Sequence, residues 1–371
     1  MATEVRGGSN CRVRQAGFLY HMMPESTNRS EIRTAPCATC IVCGSEGEFL
    51  YRKQQDRIFG TPGEWSLKRC SNRQCVLMWL DPMPLEEDIG KAYANYYTHS
   101  ARDSGSEKSA LKRIYLAIKR EYIAEKFNYR IGPASFPIPW IGKLLYLFPL
   151  RRADADEEVR FLRSVPSGRL LDVGCGSGEW LVSMRNLGWD VTGVDSDEDA
   201  VYVGRQSGLN VHCGALEQQR LPISSFDAIT LQHVIEHVID PLRTLRECAR
   251  LLKPDGILVV ATPNGSSLGQ RIYKENWRGL EPPRHLHVFS PQSMRNLLAR
   301  AEFKRISVLP QVAPSIIYES HLLRRGWQGS FVGGRRRRAT WSYAWLFTMM
   351  ELVMAKWKPS VADCLVGIAG K

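Results

Sequence analysis

From about residue 155 onward, short apolar runs alternate with stretches that repeat apolar residues at helical spacing. Arg169–Val173, Asp190–Asp195, Asn210–Cys213, Phe226–Leu231 and Gly256–Thr262 each read as a strand. Each is nearly all apolar and ends at turn or polar residues, as strands buried on both faces do. The helix before the fifth strand is signed in full: Asp240 as N-cap, Pro241 at its first position, and Leu242, Leu245, Cys248 and Leu252 on one face. Ser290-Pro291 opens another helix that runs through Leu297-Leu298 to about Ala301. A sixth strand follows at Arg305–Leu309 and a seventh at Asp363–Ala369. The alternation predicts an α/β fold with a doubly wound, seven-stranded, mostly parallel sheet over 161–371, and an insertion at 311–360 before the last strand.

The first 160 residues read differently. Residues 1–35 are polar, predict disorder and lack the apolar core of a secretory leader, which points to the cytoplasm. Residues 36–83 carry clustered cysteines, aromatics and turn residues, the pattern of a small module held together by metal. Residues 84–160 read as a helical linker or lid, with Leu111, Ile114, Ile118 and Tyr122-Ile123 at helical spacing. The apolar run Ile138–Leu150 is too short to span a bilayer, which takes about 20 residues. Two readings fit it: a buried helix or lid, or a contact with a membrane surface.

Composition adds two constraints. At 371 residues, 44% hydrophobic and 24% charged, the chain is long enough and apolar enough to bury a full core. Its net charge of +12 favours anionic partners without choosing among nucleic acid, acidic lipid and phosphorylated small molecules. Of the ten cysteines, Cys40-Ile41-Val42-Cys43 forms one close pair, and Cys70 and Cys75 form a second, wider one. Two pairs at that separation suit a tetrahedral structural zinc ion, with Cys37 as a substitute ligand.

The first strand of the sheet ends in Asp172-Val173-Gly174-Cys175-Gly176-Ser177-Gly178. Such glycines allow a tight turn and close approach of a ligand to the backbone, at the start of a helix with free N–H groups. Asp195 ends the second strand, about twenty residues on, where an acid can bind ribose hydroxyls. The dinucleotide fingerprint needs glycine at 179, but Glu179 stands there. An acid at 172 also disfavours a pyrophosphate and tolerates the ammonium and sulfonium of S-adenosylmethionine (SAM).

With further motifs in order, the chain resembles the class I SAM-dependent methyltransferases, in particular the small-molecule branch that includes the ubiquinone-biosynthesis O-methyltransferases. The matching pieces are Leu170–Gly178, Val194-Asp195, Gly214–Glu217, Ser225–Ile229, His233–Val238, Leu252–Gly256 and Ala261–Asn264. Asp255 stands where the family usually has glycine. The resemblance implies that Asp172, Gly174, Cys175, Gly176 and Gly178 hold the methionine portion of SAM and that Asp195 binds the ribose. By the same likeness, Leu216 and Glu217 lie beside the adenine, and Gln232 and His233 under the methionine portion. The stretch Met78–Pro84 that follows the cysteines, with Tyr93 and Tyr96-Tyr97 beyond, is similar to a zinc-ribbon leader found before some bacterial methyltransferase domains. Those proteins often act on sugars or on polysaccharide and lipid precursors.

An oxygen or carbon acceptor has a proton to lose, and histidine has a suitable pKa for taking it. His285, in the irregular segment Trp277–His287, is the first candidate base and His287 the second; His233 competes for the role. Arg284 is a candidate clamp for an acidic acceptor group. A loop-bracing role for His285 fits equally well. His233-Val234-Ile235-Glu236-His237 also matches a zinc-peptidase signature, but its place after the fourth strand of a cofactor sheet argues against a peptidase.

The insertion carries Trp341–Met350 and Trp357, with Arg335–Arg338 before and Lys356 and Lys358 after. An interfacial helix on an anionic membrane and a cap over an acceptor pocket both fit, and both imply a bulky or apolar acceptor. The expected function is therefore methyl transfer from SAM to oxygen or carbon of a small molecule, sugar or lipid-linked saccharide, at or near the inner membrane face. An RNA methyltransferase and a non-catalytic SAM-binding protein are the alternatives. The RNA reading is weaker because Leu231-Gln232-His233-Val234 stands where an aromatic acceptor motif belongs.

Overall fold

The computed structural model describes residues 31–94, 110–130, 140–331 and 338–371. Five short strands come first: β1 (Thr34–Ala35), β2 (Gly47–Gln54), β3 (Trp65–Cys70), β4 (Met78–Leu80) and β5 (Met83–Pro84). A 3-10 turn at Glu86–Tyr93 and helices α1 (Ala110–Phe127) and α2 (Pro149–Glu158) lead into the larger layer. That layer alternates β6 (Arg169–Val173), α3 (Glu179–Asn186), β7 (Asp190–Asp195), α4 (Glu198–Gln206), β8 (Asn210–Cys213), β9 (Phe226–Gln232), α5 (Pro241–Leu251), β10 (Leu252–Pro263) and α6 (Leu268–Tyr273). It ends with β11 (His287–Val288), α7 (Pro291–Arg300), β12 (Arg305–Gln311), α8 (Pro314–Arg324), α9 (Arg338–Ala355) and β13 (Cys364–Gly370).

Seven strands form the main sheet in the order β12-β13-β10-β9-β6-β7-β8. The pairs β6–β7, β7–β8, β6–β9 and β9–β10 are parallel, and β13 runs antiparallel to both β10 and β12. This is the expected doubly wound, mostly parallel sheet. Leu170, Leu171, Ala228, Ile229, Leu258 and Val260 are all buried, because helices cover both faces. One face packs Leu245 of α5 and Leu297 of α7, and the other packs Leu181 of α3, Val201 of α4 and Tyr122 of α1. The strand order reverses between β6 and β9. In open α/β sheets the carboxyl ends at such a switch point form the ligand crevice. The cap of α5 follows its sequence signature: Asp240 Oδ1 accepts from Arg243 N at 3.0 Å. The signed start of α7 also appears, with Ser290 and Ser293 forming a capping box.

The cysteine-bearing segment is built into the larger layer. The hairpin β2–β3–β4 gains β11 as a fourth strand, with His287 opposite Trp79 and Val288 opposite Met78. Cys75, Leu77 and Trp79 share a buried cluster with Phe226, Leu245 and Leu297. Ile32–Lys371 forms one compact unit. The described residues of 84–160 form two helices and two 3-10 turns, with α1 tied to α2 where Asp156 accepts from Lys126 Nζ and Tyr122 OH, both at 2.7 Å.

The insertion forms two helices packed on each other, α8 and α9. No helix among the described residues is long and apolar enough to cross a membrane. The predicted disorder of 1–35 falls almost wholly outside the described residues, as do the side chains of Arg335–Arg338.

Candidate active site

The turn after β6 takes its shape from glycine. Gly174 has φ +71°, and a Cβ there would sit 2.3 Å from Val234 Cγ2. Gly176 has φ +55° with open space above it, which is room for a ligand against bare backbone. Asp172, fully buried at the end of β6, accepts from Thr230 Oγ1 at 2.8 Å and from Arg160 through the same oxygen, Oδ1. Its other oxygen, Oδ2, has no hydrogen-bond partner in the protein. Burial raises the pKa of Asp172, and the Arg160 charge opposes that rise. An orphaned carboxylate oxygen beside an open glycine turn fits the ammonium of SAM. Asp195, at the end of β7, accepts from Gly176 N at 2.7 Å and Asp197 N at 2.9 Å. Each of its oxygens keeps a second lone pair for a ribose hydroxyl.

The other residues expected at the cofactor occupy the same strand ends. Cys175 lies half-buried in the turn. Gln232 ends β9, and its amide reaches Glu157 of α2 at 3.4 Å. Leu216 is buried in the core beneath the turn after β8. Glu217 is drawn toward α5, where Thr244 Oγ1 donates to it at 2.5 Å.

His233 follows β9 with φ +54° and a half-exposed side chain. Its Nδ1 lies 3.2 Å from Oε1 of the fully buried Glu236. Burial lowers the pKa of His233, but the hydrogen bond and charge of Glu236 outweigh it and raise the net value. Glu236 is itself held down to about 2: burial pushes it up, and His233 more than reverses the effect. His237 lies beside them, its Nδ1 2.9 Å from Tyr93 OH and 3.0 Å from the Arg284 carbonyl. Glu236, His237 and His285 bring ligand-type atoms within 4.8 Å of one another. The peptidase signature lacks its scaffold, since Ile235–His237 is a single 3-10 turn and not a helix displaying both histidines.

Three of the catalytic candidates, His285, His287 and Arg284, are buried. His285 is buried, with Nδ1 2.7 Å from the Gly279 carbonyl, and burial pushes its pKa down to about 4. His287 is buried in β11 against β4, and burial pushes it down to about 4 as well. Both rings are withdrawn from solvent, His287 by the pairing of β11 with β4 and His285 beside His237 and Glu281. Arg284, read as an acceptor clamp, is fully buried and binds Asp56 Oδ2 at 2.9 Å, Glu281 Oε1 at 2.8 Å, Thr61 Oγ1 at 3.1 Å and the Ala92 carbonyl at 3.1 Å. It fastens the cysteine-bearing segment to the irregular loop.

Sequence reasoning missed Arg160 and Glu157, which lie outside any motif, and read Tyr93 only as part of the zinc-ribbon leader; all three reach the site through tertiary packing. Arg160 also stacks on Trp180, 3.6 Å from the ring centroid.

The four cysteines Cys40, Cys43, Cys70 and Cys75 bring their sulfurs within 4.8 Å of one another. Cys40 and Cys75 are 3.6 Å apart and Cys43 and Cys70 3.4 Å. Tetrahedral zinc with bonds of about 2.3 Å requires sulfurs spaced close to these distances. Cys37 lies outside this group; its backbone N–H donates to Asp81 at 2.7 Å.

Comparison with known proteins finds methyltransferases similar to part of the chain. Residues 147–308 match a family model described as a methyltransferase domain. A ubiquinone biosynthesis O-methyltransferase of Xanthomonas campestris is 40% identical over 108 residues, 27% of this chain and 45% of that protein. One from Albidiferax ferrireducens is 36% identical over 118 residues, 30% of this chain and 47% of that protein. The chain thus spans less than half the length of these curated relatives. Among solved structures, a SAM-dependent methyltransferase of Thermotoga maritima, described as a possible histamine N-methyltransferase, gives a TM-score of 0.40 at 22% identity, over 62% of this chain and 96% of its own. The match to a methyltransferase domain thus lies on residues 147–308, which hold β6 to β11 and the glycine turn. Ubiquinone biosynthesis O-methyltransferases are among the proteins to which part of the chain is similar.

Proposed function

We propose that the protein transfers a methyl group from SAM to an oxygen of a small-molecule acceptor, with His233 as the general base. The observation that carries this reading is the half-exposed His233 at the end of β9, backed by the buried Glu236, next to the glycine turn and the orphaned Asp172 oxygen. Asp172 would hold the ammonium of SAM, Arg160 its carboxylate and Asp195 its ribose. SAM supplies an electrophilic methyl group on sulfur, and its thioether leaves without acid assistance. The protein positions the acceptor and takes its proton. Donation from Nδ1 to Glu236 fixes the His233 tautomer and leaves Nε2 to accept the acceptor's hydroxyl proton as the new O–CH3 bond forms. Glu236 then stabilises the resulting imidazolium.

We also infer one structural zinc ion on Cys40, Cys43, Cys70 and Cys75. Its role is to stiffen the hairpin that supports β11. A lipid-linked acceptor belongs to the same proposal, supported by the exposed apolar residues Phe148 and Trp357 and the net charge of +12.

The test is incubation with methyl-labelled SAM and a cell extract, split afterwards into small-molecule, lipid, polysaccharide and RNA pools. Label in the small-molecule or lipid pool is expected, and its loss in His233→Ala with SAM binding retained. Label confined to RNA would overturn the acceptor assignment, and no labelled product in any pool would leave a SAM-binding protein without transferase activity.

A further inference from the structure

A groove with a cavity of about 270 Å³ opens between α2 and α9 at the end of β12. Because β12 and β10 both run antiparallel to β13, this end of β12 lies on the same sheet edge as the glycine turn. Phe161 forms part of its inner wall and is the chain neighbour of Arg160, which reaches Asp172. The groove therefore opens at the same end of the sheet as the cofactor site. Its lining is mostly apolar, including Val312, Leu352 and Val353. Asp156 is the one carboxylate in the lining, and Lys126 and Tyr122 already hold it.

Two cations, Arg152 of α2 and Lys356 just past α9, also belong to the lining. Arg152 lies over the ring of Tyr146, 5.3 Å from its centroid, which joins the groove to the apolar 3-10 turn at Ile141–Leu147. Phe148, next to Pro149 in the wall, is 59% exposed, and Trp357, next to Lys356, is 79% exposed. Met350 and Val353 are exposed on the same side of α9. Exposed large apolar side chains gathered around one opening mark a contact surface. The two cations and the chain's net charge of +12 select an anionic occupant.

We infer that this groove binds an amphiphile with one alkyl or prenyl chain and a phosphate head, the chain between α2 and α9 and the head at Arg152 and Lys356. The inference rests on the methyltransferase reading for its meaning, since it identifies the acceptor class as a lipid phosphate. Its physical basis is the groove alone.

The test uses the full chain and octyl phosphate, with octyl glucoside and inorganic phosphate as comparisons, followed by titration calorimetry. Saturable binding of octyl phosphate at one per chain is expected, tighter than either comparison. Lys356→Glu should weaken octyl phosphate about tenfold and leave octyl glucoside unchanged, since it reverses a charge at the head and spares the chain. Val353→Glu should weaken both. SAM binding, measured in parallel, should be unchanged in both variants. No saturable binding of octyl phosphate, equal binding of inorganic phosphate, or wild-type affinity in both variants would overturn the groove. Failure of the wild type to bind SAM, with octyl phosphate binding as expected, would instead overturn the cofactor reading and leave the groove standing.

Discussion

Arg284 and Asp56, 228 positions apart in the chain, meet at 2.9 Å with both side chains buried. The pair ties the cysteine-bearing segment to the loop that leads into β11. Without Asp56, a guanidinium would remain buried with only Glu281 to balance it. Asp56→Ala should therefore destabilise the fold by roughly 3–5 kcal/mol, as loss of one partner of a buried ion pair does. Urea denaturation of the two proteins checks this, and a difference below about 1 kcal/mol would contradict it.

Glu236 raises the pKa of His233, so the base is protonated and idle at low pH, and activity should rise as pH climbs through that pKa. Glu236→Gln removes the charge and should shift the rising limb to lower pH while reducing the maximal rate about 10²-fold or more. The pH profile of kcat measures both. An unshifted limb would mean that the pair does not carry the proton.

Glu351 of α9 and Asp363 before β13 are both fully buried and face one another. Burial, reinforced by the neighbouring acid, pushes Glu351 up to about 10. Burial pushes Asp363 up to about 7. A carboxyl whose folded pKa is raised binds more protons folded than unfolded. Its stabilising effect is full below the unfolded value near 4.5 and falls as pH rises toward 7 and then 10. The protein should lose thermal stability between pH 6 and pH 9, and Glu351→Gln should flatten that decline. Melting temperatures across this range test it, and identical slopes in the two proteins would refute it.

If the four-cysteine group holds zinc, metal analysis of the purified protein should return one zinc per chain, and Cys75→Ser should abolish it. Removing the metal should lower the melting temperature by several degrees, because the hairpin's own core is small. Near-normal stability after complete chelation would assign these cysteines to the core alone.

Much of this architecture is legible along the chain. Three of the five central strands, Arg169–Val173, Asp190–Asp195 and Asn210–Cys213, occupy the residues their patterns predict, because strands buried on both faces must be short, apolar and ended by turns. The glycine turn, Asp172 and Asp195 are equally legible, since a positive φ and an acid at a strand end depend on local sequence. Tertiary structure decided the rest. His285 and His287 look like exposed loop bases in sequence, yet they are buried, because β11 pairs with β4 from the cysteine-bearing segment some 200 residues earlier. Arg284 looks like a ligand clamp until the fold brings Asp56 and Glu281 to it. Arg160 has no motif around it and joins the site only because the turn after α2 packs over β6. Local spacing determines which elements form and where a cofactor can lie. Burial and long-range pairing determine which titratable side chains stay free to do chemistry, and those depend on contacts that no local pattern records.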